Sequence, residues 1–126
     1  MELEPRPVLV VDDNPELLDL IQMLVLNSGY TPVATTSSAH ALELALSQPF
    51  SVLFTDLLMP VMDGHALISA VRQTPDNAEL PVVMMSGMAL SEQKIDMPGV
   101  YYLEKPFNLA EFNQVLEQAL VWQQVD

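Results

Sequence analysis

Five short apolar runs alternate along this chain with segments in which apolar residues recur every three or four positions. The first run, Val8–Val11, is mostly β-branched and too short for a helix, which is typical of a strand covered on both faces. Because parallel strands need crossover connections, the alternation predicts an α/β fold: a doubly wound, five-stranded parallel sheet with helices on both faces. The predicted strands span residues 8–11, 31–36, 51–55, 81–86 and 100–103, and helical spacing recurs within 14–29, 39–46, 64–74 and 109–120.

Residues with strong backbone preferences mark the ends of the first helix. Asn14 and Pro15 predict an N-cap followed by the first helical position, and Gly29 predicts a left-handed cap at the other end. One arc of this helix is apolar and is expected to face the core. The arc contains Leu17, Leu20, Ile21, Leu24 and Val25, with Leu18 at its edge and Met23 and Leu26 on the polar side.

Length and composition indicate one cytoplasmic domain. The 126 residues suit a single domain, expected here over residues 1–126 with a core of about 6–122. No run approaches the ~20 apolar residues of a membrane helix. The chain has no cysteine, and its start lacks the positive charge of a secretory signal. A net charge of −13 would repel a phosphate backbone, so direct nucleic-acid binding is not expected.

Cations are scarce in this sequence. Arg6, Arg72, Lys94 and Lys105 are the only basic residues beside 17 acidic ones, so salt bridges can neutralise few of the acids. Most of the acids are expected on the solvated surface. A close cluster of acids would need a metal ion, because neighbouring carboxylates otherwise repel one another.

Polar side chains lie at the carboxyl ends of four predicted strands. Asp12 and Asp13 follow the first strand, Asp56 follows the third, Ser86 ends the fourth, and Lys105 follows the fifth. The carboxyl ends of parallel strands meet at one edge of the sheet, where ligands bind in such folds. We therefore expect these five side chains to converge on one crevice.

The chemistry of this crevice has a functional and a structural interpretation. Mg²⁺ suits three carboxylates, since it takes oxygen ligands in octahedral geometry beside several waters. An acid pair before a helix can instead interact with the helix dipole, and Lys105 could be an ordinary surface lysine. Ser86 could be a turn residue or a hydroxyl donor. No His or Cys stands beside it, so a hydrolase triad has little support.

Four segments carry a resemblance to a known family. VLVVDDN, LFTDLLMPVMDG, VVMMSG and YYLEKPF, in this order and at about these separations, resemble the receiver domain of two-component response regulators. The resemblance covers roughly residues 6–122 and implies a flavodoxin-like fold. It implies that a histidine kinase or histidine phosphotransfer protein donates a phosphoryl group to the domain, which catalyses only its own phosphorylation and dephosphorylation.

The resemblance implies roles for the site residues by position. Asp56 matches the phosphoryl-accepting aspartate and one of the Mg²⁺ ligands, and Lys105 matches the lysine that pairs with the phosphoryl oxygens. Asp13 matches an acid that binds the metal directly, and Asp12 matches one that acts largely through water. The backbone carbonyl of Leu58 matches the remaining protein ligand of Mg²⁺.

The resemblance also implies a conformational switch. Ser86 matches the hydroxyl residue that moves toward the phosphoryl group, and Tyr102 matches the aromatic residue that moves inward with it. The Lys105–Pro106 peptide is implied to be cis, which is uncommon among X–Pro bonds. The resemblance implies that the target of the signal is a downstream protein or an output domain, which we do not expect within residues 1–126.

One departure from the family and three alternatives stay open. Only 18 residues separate Ser86 from Lys105, about one helical turn fewer than usual in the family, so the fourth helix of the fold is expected to be short or irregular. This departure leaves a phosphorylation-independent scaffold as an alternative.

A Mg²⁺-dependent phosphohydrolase would need a second acid near Asp56, where the sequence has Leu58. A flavin- or nucleotide-binding module would need a glycine-rich loop after the first strand, where DDNPE stands.

Overall fold

A sheet of five parallel strands forms the centre of the structure, a computed structural model that describes residues 6–57, 63–87 and 97–124. The strands are β1 (Val8–Val11), β2 (Pro32–Thr35), β3 (Val52–Asp56), β4 (Val82–Ser86) and β5 (Val100–Glu104). The described helices are α1 (Pro15–Asn27), α2 (Ser38–Ser47), α3 (Gly64–Arg72) and α4 (Leu109–Gln124). The predicted α/β fold is confirmed, and each strand ends within one residue of its predicted bounds. The short helix predicted before β5 lies outside the described residues.

The strand order, β2-β1-β3-β4-β5, places the crevice of the fold between β1 and β3. The chain moves outward from β1 to β2 and then returns to β3 on the other side of β1. The crossovers therefore leave in opposite directions at this point, and a cleft opens beyond the carboxyl ends of the two strands. Val11, the last residue of β1, pairs with Thr35 of β2 and Thr55 of β3, so these strand ends are level.

Each strand contributes alternate side chains to two cores. Val8 and Val10 lie in the core under α1 and α4, whereas Leu9 and Val11 lie in the core under α2 and α3. All four side chains are fully buried. A strand covered on both faces has no polar side, which explains why these runs are continuously apolar.

The buried face of α1 differs from the predicted arc. Leu18, Ile21 and Val25 are buried, whereas Leu20 is 46% exposed. Leu17 and Leu24 pack only at the margin of the core. The helix is apolar over much more of its circumference than the sheet can cover. Periodicity alone therefore placed the centre of the predicted arc about one residue from the centre of the observed buried face. The predicted places of Leu18 and Leu20 were therefore wrong.

Buried polar groups at the amino edge of the sheet are fully hydrogen-bonded. Asn77, which is 2% exposed, accepts from the backbone N–H of Phe50 at 2.9 Å. Its amide nitrogen donates to the carbonyls of Ala45 (2.9 Å) and Gln48 (3.1 Å) and to Thr74 Oγ1 (3.2 Å). One amide group thus joins the loop after α2 to the loop after α3.

Trp122 lies at the same amino edge, near the end of α4. Its ring lies 5.7 Å from Cζ of Arg72, whose guanidinium donates to the carbonyl of Leu80 through Nε (3.1 Å) and Nη2 (2.8 Å). Gly99 has a φ of +72°, and a Cβ there would lie 2.7 Å from the indole. Glycine is therefore needed both for the backbone conformation and for the close contact with the ring. Across the described helices, none is long and apolar enough to pass through a bilayer.

Candidate functional site

The carboxyl edge of the sheet brings the predicted acids together. Asp12, Asp13 and Asp56 each place a carboxylate oxygen within 4.8 Å of the others. Asp12 is fully buried and Asp13 is exposed, while the Asp56 side chain is 14% exposed. The predicted convergence of the three acids on one crevice is confirmed.

The end of β1 explains how adjacent acids reach the same cleft. Successive side chains of a strand point to opposite faces, but β1 ends at Val11, before the acid pair. The backbone N–H of Asp12 still bonds to the carbonyl of Thr35 at 3.3 Å, and the chain then turns at Asp13 toward α1. The turn frees the two carboxylates from strand geometry.

Lys105 contacts two of the three acids. Its Nζ lies 3.1 Å from Asp12 Oδ2 and 3.4 Å from Asp56 Oδ1, and its side chain is 23% exposed. The backbone N–H of Lys105 donates to the carbonyl of Ser86 at 2.7 Å, and the following peptide bond to Pro106 is cis, as the resemblance implies. The ammonium group therefore lies within the cleft and is not an ordinary surface charge.

The remaining oxygen of Asp12 is bound by the turn itself. The backbone N–H of Asn14 donates to Asp12 Oδ1 at 2.9 Å, while Lys105 takes Oδ2. A buried carboxylate is tolerated when both oxygens are paired in this way. The bond from Asn14 could not be foreseen from residue types, because its donor is a backbone group.

The ionisation of Asp56 is disfavoured by its surroundings. Burial raises the pKa of Asp56 above its ordinary value, the charge and hydrogen bond of Lys105 lower it in part, and the charges of Asp12 and Asp13 raise it further. The net direction is upward because burial, together with the charges of Asp12 and Asp13, outweighs the effect of Lys105 on this pKa. Arg6 and Arg72 lie at the opposite edge of the sheet.

Gly64 fixes the backbone around Asp56, a contribution that the sequence did not reveal. The N–H of Gly64 donates to the carbonyl of Leu57 at 2.9 Å, so α3 begins against the end of β3. A Cβ at Gly64 would lie 2.9 Å from the carbonyl oxygen of Asp56 and 2.7 Å from Met84 Sδ. The absence of a side chain therefore allows the first turn of α3 to contact the backbone of the acid.

The predicted switch residues lie on β4 and β5. Ser86 is 2% exposed at the end of β4 and pairs with Glu104 in the strand register, which places it beside Lys105. Tyr102 is half-buried on β5, opposite Met84, and packs against the core under α2 and α3. Leu58, the predicted carbonyl ligand, lies outside the described residues.

The acid cluster fits a magnesium ion in charge and in ligand type. Oxygen ligands around one octahedral Mg²⁺ lie at about 2.0–2.1 Å from the metal, so opposite ligands are about 4 Å apart. The 4.8 Å spread of the three carboxylate oxygens is close to that span. Among the described residues, Lys105 is the one cation in contact with these three carboxylates, so uncompensated negative charge is left that a divalent cation would neutralise.

Comparison with known proteins agrees with this geometry. The family model of the response regulator receiver domain matches residues 8–117. The sensor histidine kinase TmoS of Ectopseudomonas mendocina is 35% identical over 111 residues, which are 86% of this chain and 11% of the kinase. The chain thus spans about a tenth of that relative's length.

Two solved structures share the fold. The Vibrio cholerae chemotaxis protein CheY4 superposes with a TM-score of 0.83 at 27% identity, covering 92% of this chain and 99% of CheY4. The second is the receiver domain of the Pseudomonas aeruginosa sensor histidine kinase PA1611, which is described with a magnesium ion in its active site cleft. It superposes with a TM-score of 0.80 at 22% identity, and the match covers 93% of this chain and 98% of the PA1611 receiver domain. Together with the family match, the fold and the acid cluster establish that this chain belongs to the response regulator receiver domains, which act in phosphorelay signalling.

Proposed function

We propose that Asp56 accepts a phosphoryl group from a phosphohistidine of a histidine kinase or histidine phosphotransfer protein. The observation that carries this proposal is the convergence of three carboxylates within 4.8 Å of one another at the carboxyl edge of the sheet, two of them in contact with Lys105. Such an arrangement is costly for folding, because burial and neighbouring acids oppose the ionisation of Asp56. It is accounted for if the cleft binds cations and phosphoryl oxygens.

The proposed transfer moves one phosphoryl group and breaks one bond. An Asp56 carboxylate oxygen forms a bond to phosphorus while the P–N bond to the donor histidine breaks and its electron pair returns to the imidazole. Asp56 must be ionised to attack, and Lys105, 3.4 Å away, favours that form. Lys105 is also close enough to pair with the oxygens of the group that arrives.

The carboxylates of Asp12, Asp13 and Asp56 would hold Mg²⁺, with the carbonyl of Leu58 as a further ligand. When bound, Mg²⁺ supplies neutralisation of the charge on the phosphoryl oxygens. Asp12 already has both oxygens paired, which is consistent with contact through water. Asp13 is exposed and Asp56 lies at the cleft, so both are accessible for direct contact.

Ser86 and Tyr102 would carry the signal away from the cleft. Phosphorylation adds acceptor oxygens at Asp56, toward which the Ser86 hydroxyl would move, and Tyr102 would then change its packing beside Met84. The target of this signal would be a downstream protein or an output domain. With a net charge of −13, the chain itself is not proposed to bind nucleic acid.

The experiment is incubation with phosphoramidate and Mg²⁺, followed by intact mass measurement. We expect the mass of one added phosphoryl group, which Asp56→Asn abolishes, hydroxylamine removes and chelation of Mg²⁺ prevents. Asp76→Asn, at an exposed position near the amino edge, is the matched control and should be phosphorylated normally.

Two outcomes would contradict this proposal. An adduct that persists in Asp56→Asn would move the acceptor to another residue. Absence of any adduct in a chain that binds Mg²⁺ would favour a scaffold that acts without phosphorylation.

A further inference from the structure

The turn between β1 and α1 connects the buried acid of the cleft to the first helix through a single residue. The backbone N–H of Asn14 donates to Asp12 Oδ1 at 2.9 Å. The side-chain Oδ1 of the same residue accepts from the backbone N–H groups of Glu16 (3.0 Å) and Leu17 (3.4 Å), which caps α1. Asn14 therefore belongs to the acid cluster through its backbone and to the helix through its side chain.

We propose that Asn14 is a positioning residue, whose side chain orients Asp12 and Asp13 for Mg²⁺ by fixing the start of α1. This inference rests on the metal site of the proposed function. Asn14 itself would not contact the metal, and its side chain would affect only the direction in which the two acids point.

The orientation of Asp12 depends on two donors. Asp12 is fully buried, with Oδ1 bound by the Asn14 N–H and Oδ2 bound by Lys105 at 3.1 Å. Lys105 is shared with Asp56 and would turn toward a phosphoryl group there. The backbone N–H of Asn14 is then the donor that keeps Asp12 in place.

The orientation of Asp13 depends on the same turn. Its side chain is exposed, so its direction follows from the backbone between Asp12 and Asn14. Asn14 has the extended backbone of an N-cap, with φ −92° and ψ 107°, and its carbonyl accepts the first helical bond from Leu18 at 3.0 Å. Without the side-chain cap, the first turn of α1 would fray, and both acids would sample more directions.

The test compares the loss of two helix caps. Asn14→Ala removes the cap beside the acids, whereas Ser37→Ala removes the cap of α2, where Ser37 Oγ accepts from the His40 N–H at 3.2 Å. Asn14→Ser keeps a good cap without the amide. The dissociation constant of Mg²⁺ is measured by calorimetry for each chain, and urea unfolding gives the stability of each.

We expect Asn14→Ala to weaken Mg²⁺ binding roughly three- to tenfold, the size of effect that loss of one cap permits. Ser37→Ala should lower stability with little change in Mg²⁺ affinity, and Asn14→Ser should restore nearly normal affinity. Unchanged affinity in Asn14→Ala would overturn the inference, as would an equal loss in Ser37→Ala or in Asn14→Ser. If the unaltered chain fails to bind Mg²⁺, both this inference and the metal site of the proposed function are wrong. The other contradicting outcomes overturn the inference alone and leave the proposed metal site intact.

Discussion

The two edges of the sheet bury polar groups in opposite ways. At the amino edge, Asn77 forms four hydrogen bonds with neutral partners, and the Arg72 guanidinium is held by the carbonyl of Leu80. At the carboxyl edge, Asp12, Asp13 and Asp56 lie close together, and Lys105 contacts the first and the last of them.

The difference separates buried polar groups that stabilise the fold, at the amino edge, from buried polar groups that serve binding, at the carboxyl edge. The satisfied amide of Asn77 at the amino edge joins two loops without adding charge, so removing it should cost stability. Unbalanced charge at the carboxyl edge opposes folding and is relieved by an added cation. Substitutions at the two edges should therefore differ in size, in sign and in their response to Mg²⁺.

The largest effect is expected from Asn77→Ala at the amino edge. The substitution leaves the Phe50 N–H and the carbonyls of Ala45 and Gln48 without this partner, and we expect a loss of about 3 kcal/mol or more in the free energy of unfolding. Urea unfolding measures the loss, and Asn113→Ala, at an exposed position on α4, is the control and should be nearly neutral. A loss that Mg²⁺ reverses would contradict the separation between the edges.

A smaller loss is expected from Lys105→Gln at the carboxyl edge. Among the described residues, Asp12 then keeps only the Asn14 N–H as a partner for its buried carboxylate. We expect a loss of about 2 kcal/mol in the free energy of unfolding in Mg²⁺-free buffer, less than for a fully enclosed ion pair. Saturating Mg²⁺ should recover much of this stability, because the metal replaces the missing positive charge. If urea unfolding showed the same loss with and without Mg²⁺, the lysine would act through packing instead of charge.

The smallest effect, and the only gain, is expected from Asp56→Asn. The pKa of Asp56 is raised in the folded chain, chiefly by burial, so the folded chain binds this proton more tightly than the unfolded chain. Stability of the unaltered chain therefore falls as pH rises through the window between the ordinary and the raised pKa. Asp56→Asn should be more stable at neutral pH without Mg²⁺, by less than either loss above.

The pH dependence gives this prediction its control. As pH falls through the window, the unaltered chain acquires a neutral Asp56, and the difference in Tm between the two chains should disappear. A gain that persists at low pH would show that the amide stabilises the site by hydrogen bonding and that charge is not the cause.

The sequence predicted the features that depend on residue type and strand order. Asp56 and Lys105 could be placed in one cleft because parallel strands align their carboxyl ends, and Asn14 could be placed as an N-cap because few residues suit that position. The ranges of β1, β3 and β4 followed from their largely apolar character, whereas residues 31–36, around β2, gave a weaker strand signal.

Other features depend on contacts that residue types do not encode. Leu20 carries the same apolar signal as Leu18, and only the area of sheet beneath α1 decides which one is buried. Asn77 resembles any loop asparagine, because three of its four partners are backbone groups from a distant part of the chain. The need for Gly64 arises from a contact with the carbonyl of Asp56, which no pattern in the sequence records.

The position of Trp122 provides an optical probe of one edge alone. It is the only indole in the chain, and it lies against Arg72 and Gly99, a strand's length of about 16 Å from the acids. Its emission should change when the helix end separates from the sheet during unfolding and should remain almost constant during a Mg²⁺ titration. Fluorescence can therefore follow global unfolding, while calorimetry or intact mass measurement on the same sample follows events at the cleft.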